Sequence, residues 1–178
     1  MSDRSRFILL SVAASVAFAA LAAPPKVKTL IRISPVTIPA GTTEHTISVD
    51  VHAVRAELLA AAKSRNHDVT LELDVEAERS PDVYYEVQVS VPKGKRYKVG
   101  NVALFGAGIR AESRGEFHPA HVQLMLSEAL ASALRNPSTR TLRVTFIARG
   151  AEGVPSRPSA AALRIDKGEV VVGPRLRE

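Results

Sequence analysis

The fold class is decided by residues 83–106, VYYEVQVSVPKGKRYKVGNVALFG. Apolar side chains stand at every second position from 85 to 91 and alternate with polar ones, which is the period-two pattern of a strand with one buried face. The Pro-Lys-Gly-Lys sequence at 92–95 ends this strand, and residues 99–105 read as the returning strand. The stretch therefore predicts a β-hairpin.

The same alternation recurs along most of the chain. Two segments rich in helix formers interrupt it, residues 53–65 and 127–134, the second with Ser127 as its expected N-cap. The further strands are expected at residues 47–51, 69–75, 122–126, 142–148 and 163–172, and residues 29–33 alternate only weakly. Short strands separated by turn signals predict an all-β fold, an antiparallel β-sandwich of seven or eight strands with one or two short helices.

The phase of the alternation also predicts which side chains form the core. The residues expected in one buried layer between two sheets are Leu71, Val87, Val89, Val144 and Phe146. On the opposite phase of the 69–75 strand, the carboxylates of Glu72, Asp74 and Glu76 are expected to face solvent.

Composition argues against several classes of site. The chain has 178 residues, 46% of them hydrophobic, which suits a single domain with one core. It contains no cysteine, so disulfides and thiolate metal sites are excluded, and only 4% of its residues are aromatic. Neither a nucleophile elbow, nor a phosphate loop, nor a zinc-protease helix motif is present. The sequence therefore predicts a protein that is not an enzyme.

The N-terminus has the pattern of an export signal. Arg4 and Arg6 precede an uncharged run from Phe7 to Pro25, and the small residues at 20–22 suit a cleavage site after Ala22. An uncleaved membrane anchor is the alternative, because the run approaches the roughly 20 residues that span a bilayer. The expected organisation is thus a signal at 1–22, an N-terminal extension at 23–43, a β-sandwich domain at 44–172 and a frayed tail at 173–178, in a periplasmic or secreted protein.

Two groups of side chains carry distinctive chemistry. The formal net charge is +6, and its densest basic cluster, Lys93, Lys95, Arg96 and Lys98, falls in the predicted hairpin loop. This cluster is interpreted as a solvated loop tip or as a patch for an anionic partner. The histidine pair of the FHPAH sequence at 117–121 could ligate copper or zinc, although a closed site needs about four ligands.

The order of these segments resembles a known family. TISVDV, VTLELDV, YYEVQVSVP, YKVGNVALFG, HVQLMLSEAL, TLRVTFIARG and ALRIDKGEV follow one another across residues 44–172. In this order they resemble the C-terminal β-sandwich that covers the dicopper core of tyrosinases and polyphenol oxidases. The two sets of histidine ligands that form the copper core of that family are absent from this sequence.

The resemblance implies a non-catalytic exported subunit that binds, shields or helps to assemble a tyrosinase-like copper oxidase. No cofactor of its own is implied, and copper would come only through the partner. Small exported helper proteins of tyrosinases insert a tyrosine into the copper pocket, which makes Tyr84 and Tyr97 candidates, whereas Tyr85 is expected in the core. The expected partner-binding residues are Tyr84, Tyr97, Phe117 and His118. The contact is expected from loops at one end of the sandwich, with the loops at 92–98 and 107–121 as the candidates.

Two alternatives stay open from the sequence. One is a free-standing periplasmic protein that binds copper or zinc through His118 and His121. The other is a structural subunit of an envelope assembly that pairs through exposed strand edges. Neither nucleic acid nor, apart from an uncleaved N-terminal segment, a membrane is expected as a partner.

Overall fold

The computed structural model describes residues 26–104, 108–112, 117–150 and 158–175. The predicted signal at 1–22 lies outside these residues. The strands within them are β1 (Lys28–Ile33), β2 (Val36–Ile38), β3 (Glu44–Asp50), β4 (His67–Glu76), β5 (Tyr84–Ser90), β6 (Tyr97–Val102), β7 (Ala120–Met125), β8 (Thr141–Arg149) and β9 (Leu163–Pro174). The helices are α1 (Arg55–Lys63) and α2 (Ser127–Ala133), with a 3₁₀ turn at Arg110–Glu112.

The strands form two antiparallel sheets that pack face to face. One sheet has the order β1-β9-β4-β7, with β2 also paired to β9, and the other has the order β3-β8-β5-β6. The predicted hairpin is confirmed, because β5 and β6 pair antiparallel from Val89 opposite Tyr97 to Tyr85 opposite Val102. The all-β sandwich expected from the alternation is therefore the observed fold.

The core lies between the sheets and has the predicted phase. Leu71 from β4, Val87 and Val89 from β5, and Val144 and Phe146 from β8 are each at most 4% exposed and belong to one apolar cluster. Burial of each such side chain contributes roughly 1.5–3 kcal/mol to folding. The alternation thus identifies the inner face of both sheets.

The sandwich begins earlier than the sequence indicates. Residues 23–43 were expected to be an extension, but β1 pairs with β9 from Lys28 to Ile33, and β2 pairs with β9 from Val36 to Ile38. Pro35 and Pro39 flank β2, and because proline usually signals a turn, the sequence does not predict a strand there. Proline is nevertheless tolerated at the ends of short edge strands. At the other terminus β9 continues to Pro174, past the expected boundary at 172.

The two helices close one end of the sandwich. α1 links the end of β3 to the start of β4, α2 links the end of β7 to the start of β8, and the two helices pack against each other. Ser127 does not cap α2: Leu126 holds the N-cap position, and the Ser127 hydroxyl accepts a 2.9 Å hydrogen bond from the Val69 backbone N–H. We call this the helical end and the opposite one the open end.

No helix in the described part of the chain is both long and apolar enough to cross a membrane.

Candidate partner-binding site

The four side chains predicted to bind a partner lie at opposite ends of the sandwich. Tyr97 begins β6 at the helical end, where it lines a groove of about 440 Å³ with Met125 and Glu128. His118 precedes Ala120, which pairs with Val75 near the other end of β4. β7 separates the two places by six residues, roughly 17 Å. The expectation that both loops share one end is therefore wrong, because the hairpin turn and the loop before β7 lie at different ends of the strands.

Tyr84, Phe117 and His118 belong to the open end. Tyr84 is the first residue of β5 and lies half-buried opposite Arg149 of β8. Phe117 is half-buried and His118 is exposed in the segment that leads into β7. Three of the four predicted residues thus lie at the open end, and Tyr97 lies at the helical end.

An ion-pair network orders the open end. Glu76, the last residue of β4, is 4% exposed and receives the Arg110 guanidinium through both oxygens, at 2.6 Å from Nη2 and 3.3 Å from Nε. Arg164 Nη1 approaches the same carboxylate at 3.7 Å, and Arg164 Nε contacts Asp166 Oδ1 at 2.6 Å. Paired contacts of this kind fix the orientation of the arginine as well as its charge.

This network corrects the expectation that Glu76 faces solvent with Glu72 and Asp74. Those two carboxylates are partly exposed and bond to Gln123 and His121 of β7. Glu76 is buried because Arg110 and Arg164 approach it from either side of the strand end. The period-two pattern predicts the face on which a side chain lies, but it does not predict whether residues distant in sequence bury that side chain.

Arg110 also positions Phe117. Its guanidinium carbon lies 4.1 Å from the centre of the Phe117 ring, a cation–π distance. Phe117 is therefore held against a charge that is itself fixed by the buried Glu76. His118, the next residue, projects from an ordered support.

Backbone contacts hold the Arg110 segment against the end of β4. Ala77 N–H donates to the Gly108 carbonyl at 2.7 Å, and Arg110 N–H donates to the Ala77 carbonyl at 2.9 Å. Gly108 has φ +73°, and a Cβ there would lie 2.8 Å from the Val75 carbonyl oxygen. Glycine is required at this position because both the backbone conformation and the close approach exclude a side chain.

The two histidines of the predicted metal pair have different surroundings. His121 Nδ1 lies 2.8 Å from Asp74 Oδ1 on the outer face of the five-stranded sheet, whereas His118 is exposed in the preceding segment. A group of three or more histidine and carboxylate residues placed to hold a metal is not found within the described ranges. The metal site stays a prediction that only titration can test.

Tyr85 is a core residue, as expected. It is 2% exposed, burial raises the pKa of its phenol, and the nearby Ser159 hydroxyl lowers that pKa in part. Of the three tyrosines only Tyr84 and Tyr97 reach the surface.

Comparisons with known proteins give no family. No family model matches the chain, and no curated protein matches it. Among solved structures, the chain resembles a protein thought to be secreted from Parabacteroides distasonis, with 5% identity over 78% of this chain and 40% of that one, at a TM-score of 0.38. It also resembles chitosan-binding module 1 of a Paenibacillus sp. IK-5 chitosanase/glucanase, with 14% identity over 76% and 74% of the two chains, at a TM-score of 0.32.

A third similarity is to the structure of Desmodium yellow mottle tymovirus, with 16% identity over 100% and 97% of the chains and a TM-score of 0.25. The chain spans less than half of the length of the Parabacteroides protein. Likeness at these levels identifies no substrate or partner for this chain.

Proposed function

We propose that this protein is a non-catalytic, exported β-sandwich that binds and shields a tyrosinase-like copper oxidase through its open end. The observation that carries the proposal is the contact of Phe117 with Arg110, which the buried Glu76 holds in place and which the exposed His118 directly follows. Aromatic and arginine side chains dominate the binding energy of protein interfaces, and a contact that is ordered beforehand loses less entropy on binding.

The chemistry of the pair suits a dicopper pocket. An imidazole can lie beside metal-bound imidazoles without being oxidised, and a phenyl ring can fill the apolar space around them. The choice of partner rests on the order of strand segments across residues 44–172, and the site of contact rests on the open end.

The experiment measures binding of the purified protein to a tyrosinase-type protein encoded beside it, by surface plasmon resonance. Removal of a well-packed interface side chain typically costs 1–3 kcal/mol or more, so His118→Ala and Phe117→Ala should each weaken binding at least about tenfold. Tyr97→Ala is the matched control, because it removes a half-buried aromatic ring at the other end.

If only Tyr97→Ala lost binding, the contact would lie at the helical end instead. Normal binding by all three variants, or no binding by the wild type, would refute the proposal. Thermal melts of each variant separate a lost contact from a lost fold.

A metal-binding function is the second candidate, favoured by the exposure of both His118 and His121. Calorimetric titration with copper or zinc tests it. Micromolar binding that is lost in His118→Ala would support it, and binding no tighter than millimolar would remove it.

A further inference from the structure

A polar cavity lies on the outer face of the four-stranded sheet, beside the turn between β5 and β6. Its volume is about 270 Å³. The polar side chains that line it are Thr46, Ser90, Lys93, Arg96, Arg143 and Thr145. We call it the turn pocket; it is separate from the open end.

The floor of the turn pocket comes from three adjacent strands. Thr46 of β3 pairs in register with Thr145 of β8, and Arg143 of β8 pairs with Ser90 of β5. Successive side chains of a strand point to opposite faces, and the flanking Val144 lies in the core. All four floor side chains therefore stand on the outer face.

An ion pair crosses this face from one edge of the sheet to the other. Glu44 begins the edge strand β3, Arg96 directly precedes the edge strand β6, and their side chains meet at 2.8 Å. On the same face, Thr145 and Ser90 are only 2% and 5% exposed. Arg96 gives the pocket one wall, and the turn gives it another.

The charges in the pocket are unbalanced. No aspartate or glutamate lines it, and of its three cations only Arg96 has a carboxylate partner in the described part of the chain. Lys93 has φ +60°, a left-handed conformation that is uncommon for a residue with a side chain. Such conformations cluster at functional sites where the surrounding structure holds them.

Hydroxyl donors complete the site. The Thr46 and Thr145 hydroxyls are 3.0 Å apart, so one donates to the other and one proton of the pair stays available. Ser90 makes no side-chain hydrogen bond to any described residue, although it is nearly buried. Because Ser90 lines the pocket, its hydroxyl can donate to an oxygen bound there.

We propose that the turn pocket binds a tetrahedral oxyanion, the phosphate or sulfate group of an ester. Arg143 and Lys93 would neutralise the anion, and the hydroxyls of Ser90 and the Thr46–Thr145 pair would donate to its oxygens. Guanidinium groups match such oxygens with two parallel hydrogen bonds, and bonds to a charged acceptor are about twice as strong as neutral ones.

The test is a titration of the ¹⁵N-labelled protein with sodium phosphate and with sodium sulfate, at constant ionic strength set with sodium chloride. Saturable shifts of amides in the turn and around Arg143 are expected. The double variant Lys93→Gln/Arg143→Gln should bind at least tenfold more weakly. The matched control Lys63→Gln/Arg65→Gln removes the same charge from two exposed positions that have no ion pair among the described residues, and should bind within twofold of the wild type.

Tighter binding of phosphate than of sulfate supports a phosphate ester, and the reverse supports a sulfate ester. Shifts that do not saturate, or equal weakening in both double variants, would show a general charge effect and overturn the proposal. If the double variant is unfolded, the single variant Arg143→Gln decides by the same tenfold criterion.

Discussion

At the scale of single residues, the inner phase of β5 is the most sensitive feature of the fold. Val87 is fully buried in the apolar cluster between the sheets. Val87→Asp places a carboxylate there without a partner, at a cost of at least about 4 kcal/mol when lost apolar burial is included. The melting temperature should fall by at least roughly 8 °C.

Ser48→Asp is the control for that prediction. It adds the same carboxylate to the outer face of the same sheet, where Ser48 is exposed and faces Arg143 across the strands. Its melting temperature should stay within about 2 °C of the wild type. Similar melting of the two variants would show that the inner and outer faces are wrongly assigned in at least one of these strands, and a larger loss for Ser48→Asp would mean that the two faces are exchanged.

Glu86, on the outer face of the four-stranded sheet, makes the stability of the fold depend on pH. Burial by itself raises the pKa of Glu86, but hydrogen bonds from Gln88 and Arg149, with the charges of Arg149 and Lys98, together outweigh burial and hold that pKa below its usual value. A lowered carboxyl pKa means that the ionised form stabilises the fold. This contribution is complete above the unfolded pKa, near 4.5, and is lost as the pH falls through the lower folded pKa.

At pH 7 the Glu86→Gln variant should therefore be less stable than the wild type and should melt at a lower temperature. The loss of hydrogen bonds to a charged acceptor should reduce its unfolding free energy by roughly 1–2 kcal/mol. The difference should shrink as the pH falls from 5 to 3, because protonated Glu86 and glutamine are nearly equivalent. Melts at pH 7, 5, 4 and 3 measure it. Glu78→Gln, an exposed change outside the helices and strands, is the control and should show no comparable trend. A difference for Glu86→Gln that does not change with pH would contradict the assignment.

At the scale of elements, Gly108 connects the end of β4 to the candidate partner site. Gly108→Ala adds a Cβ 2.8 Å from the Val75 carbonyl oxygen in a left-handed conformation, so we expect a loss of about 1–3 kcal/mol in stability. Gly173→Ala is the control, since a Cβ there would meet only Val27 at an ordinary 3.6 Å. Chemical denaturation compares the two, and equal tolerance would show that the Gly108 segment is not held as described.

The elements also show how far the sequence alone predicts this molecule. Alternation identifies the strands because each sheet has one buried face, as the confirmed layer of Leu71, Val87 and Phe146 demonstrates. It misses β2, which has three residues between prolines, and the cover on Glu76. β2 is a strand because it pairs with β9, and Glu76 is covered because Arg110 and Arg164 contact it. These partners are distant in sequence, so no local pattern predicts the contacts.

The candidate site was only partly predictable for the same reason. The residue types were recognisable, since Tyr97, Phe117 and His118 stand out in a chain with few aromatics. Their distribution between two ends follows from the direction in which β6 and β7 run. That direction is set by the topology of the sheets and cannot be predicted from the sequence of either loop.

At the scale of the whole molecule, the first prediction concerns export. The uncharged run at 7–25 predicts cleavage after Ala22, so protein recovered from the native host should begin at Ala23 and lie outside the cytoplasm. Intact-mass measurement decides the matter, and a full-length chain in the membrane fraction would indicate an anchor.

The position of β9 has a consequence for when this protein can fold. β9 follows every other strand in the chain, yet it lies inside its sheet, between β1 and β2 on one side and β4 on the other. Until its residues have been synthesised, β1 and β2 have no partner strand and one side of β4 is unpaired. Pairings between distant segments also form slowly.

We therefore expect ribosome-bound chains that end before Leu163 to remain sensitive to protease, and chains that expose Pro174 beyond the ribosome to become resistant. Resistance in the shorter chains would contradict this order of events. A strand added last keeps the newly made chain open, and an open chain is the form that can be threaded through a narrow translocation channel.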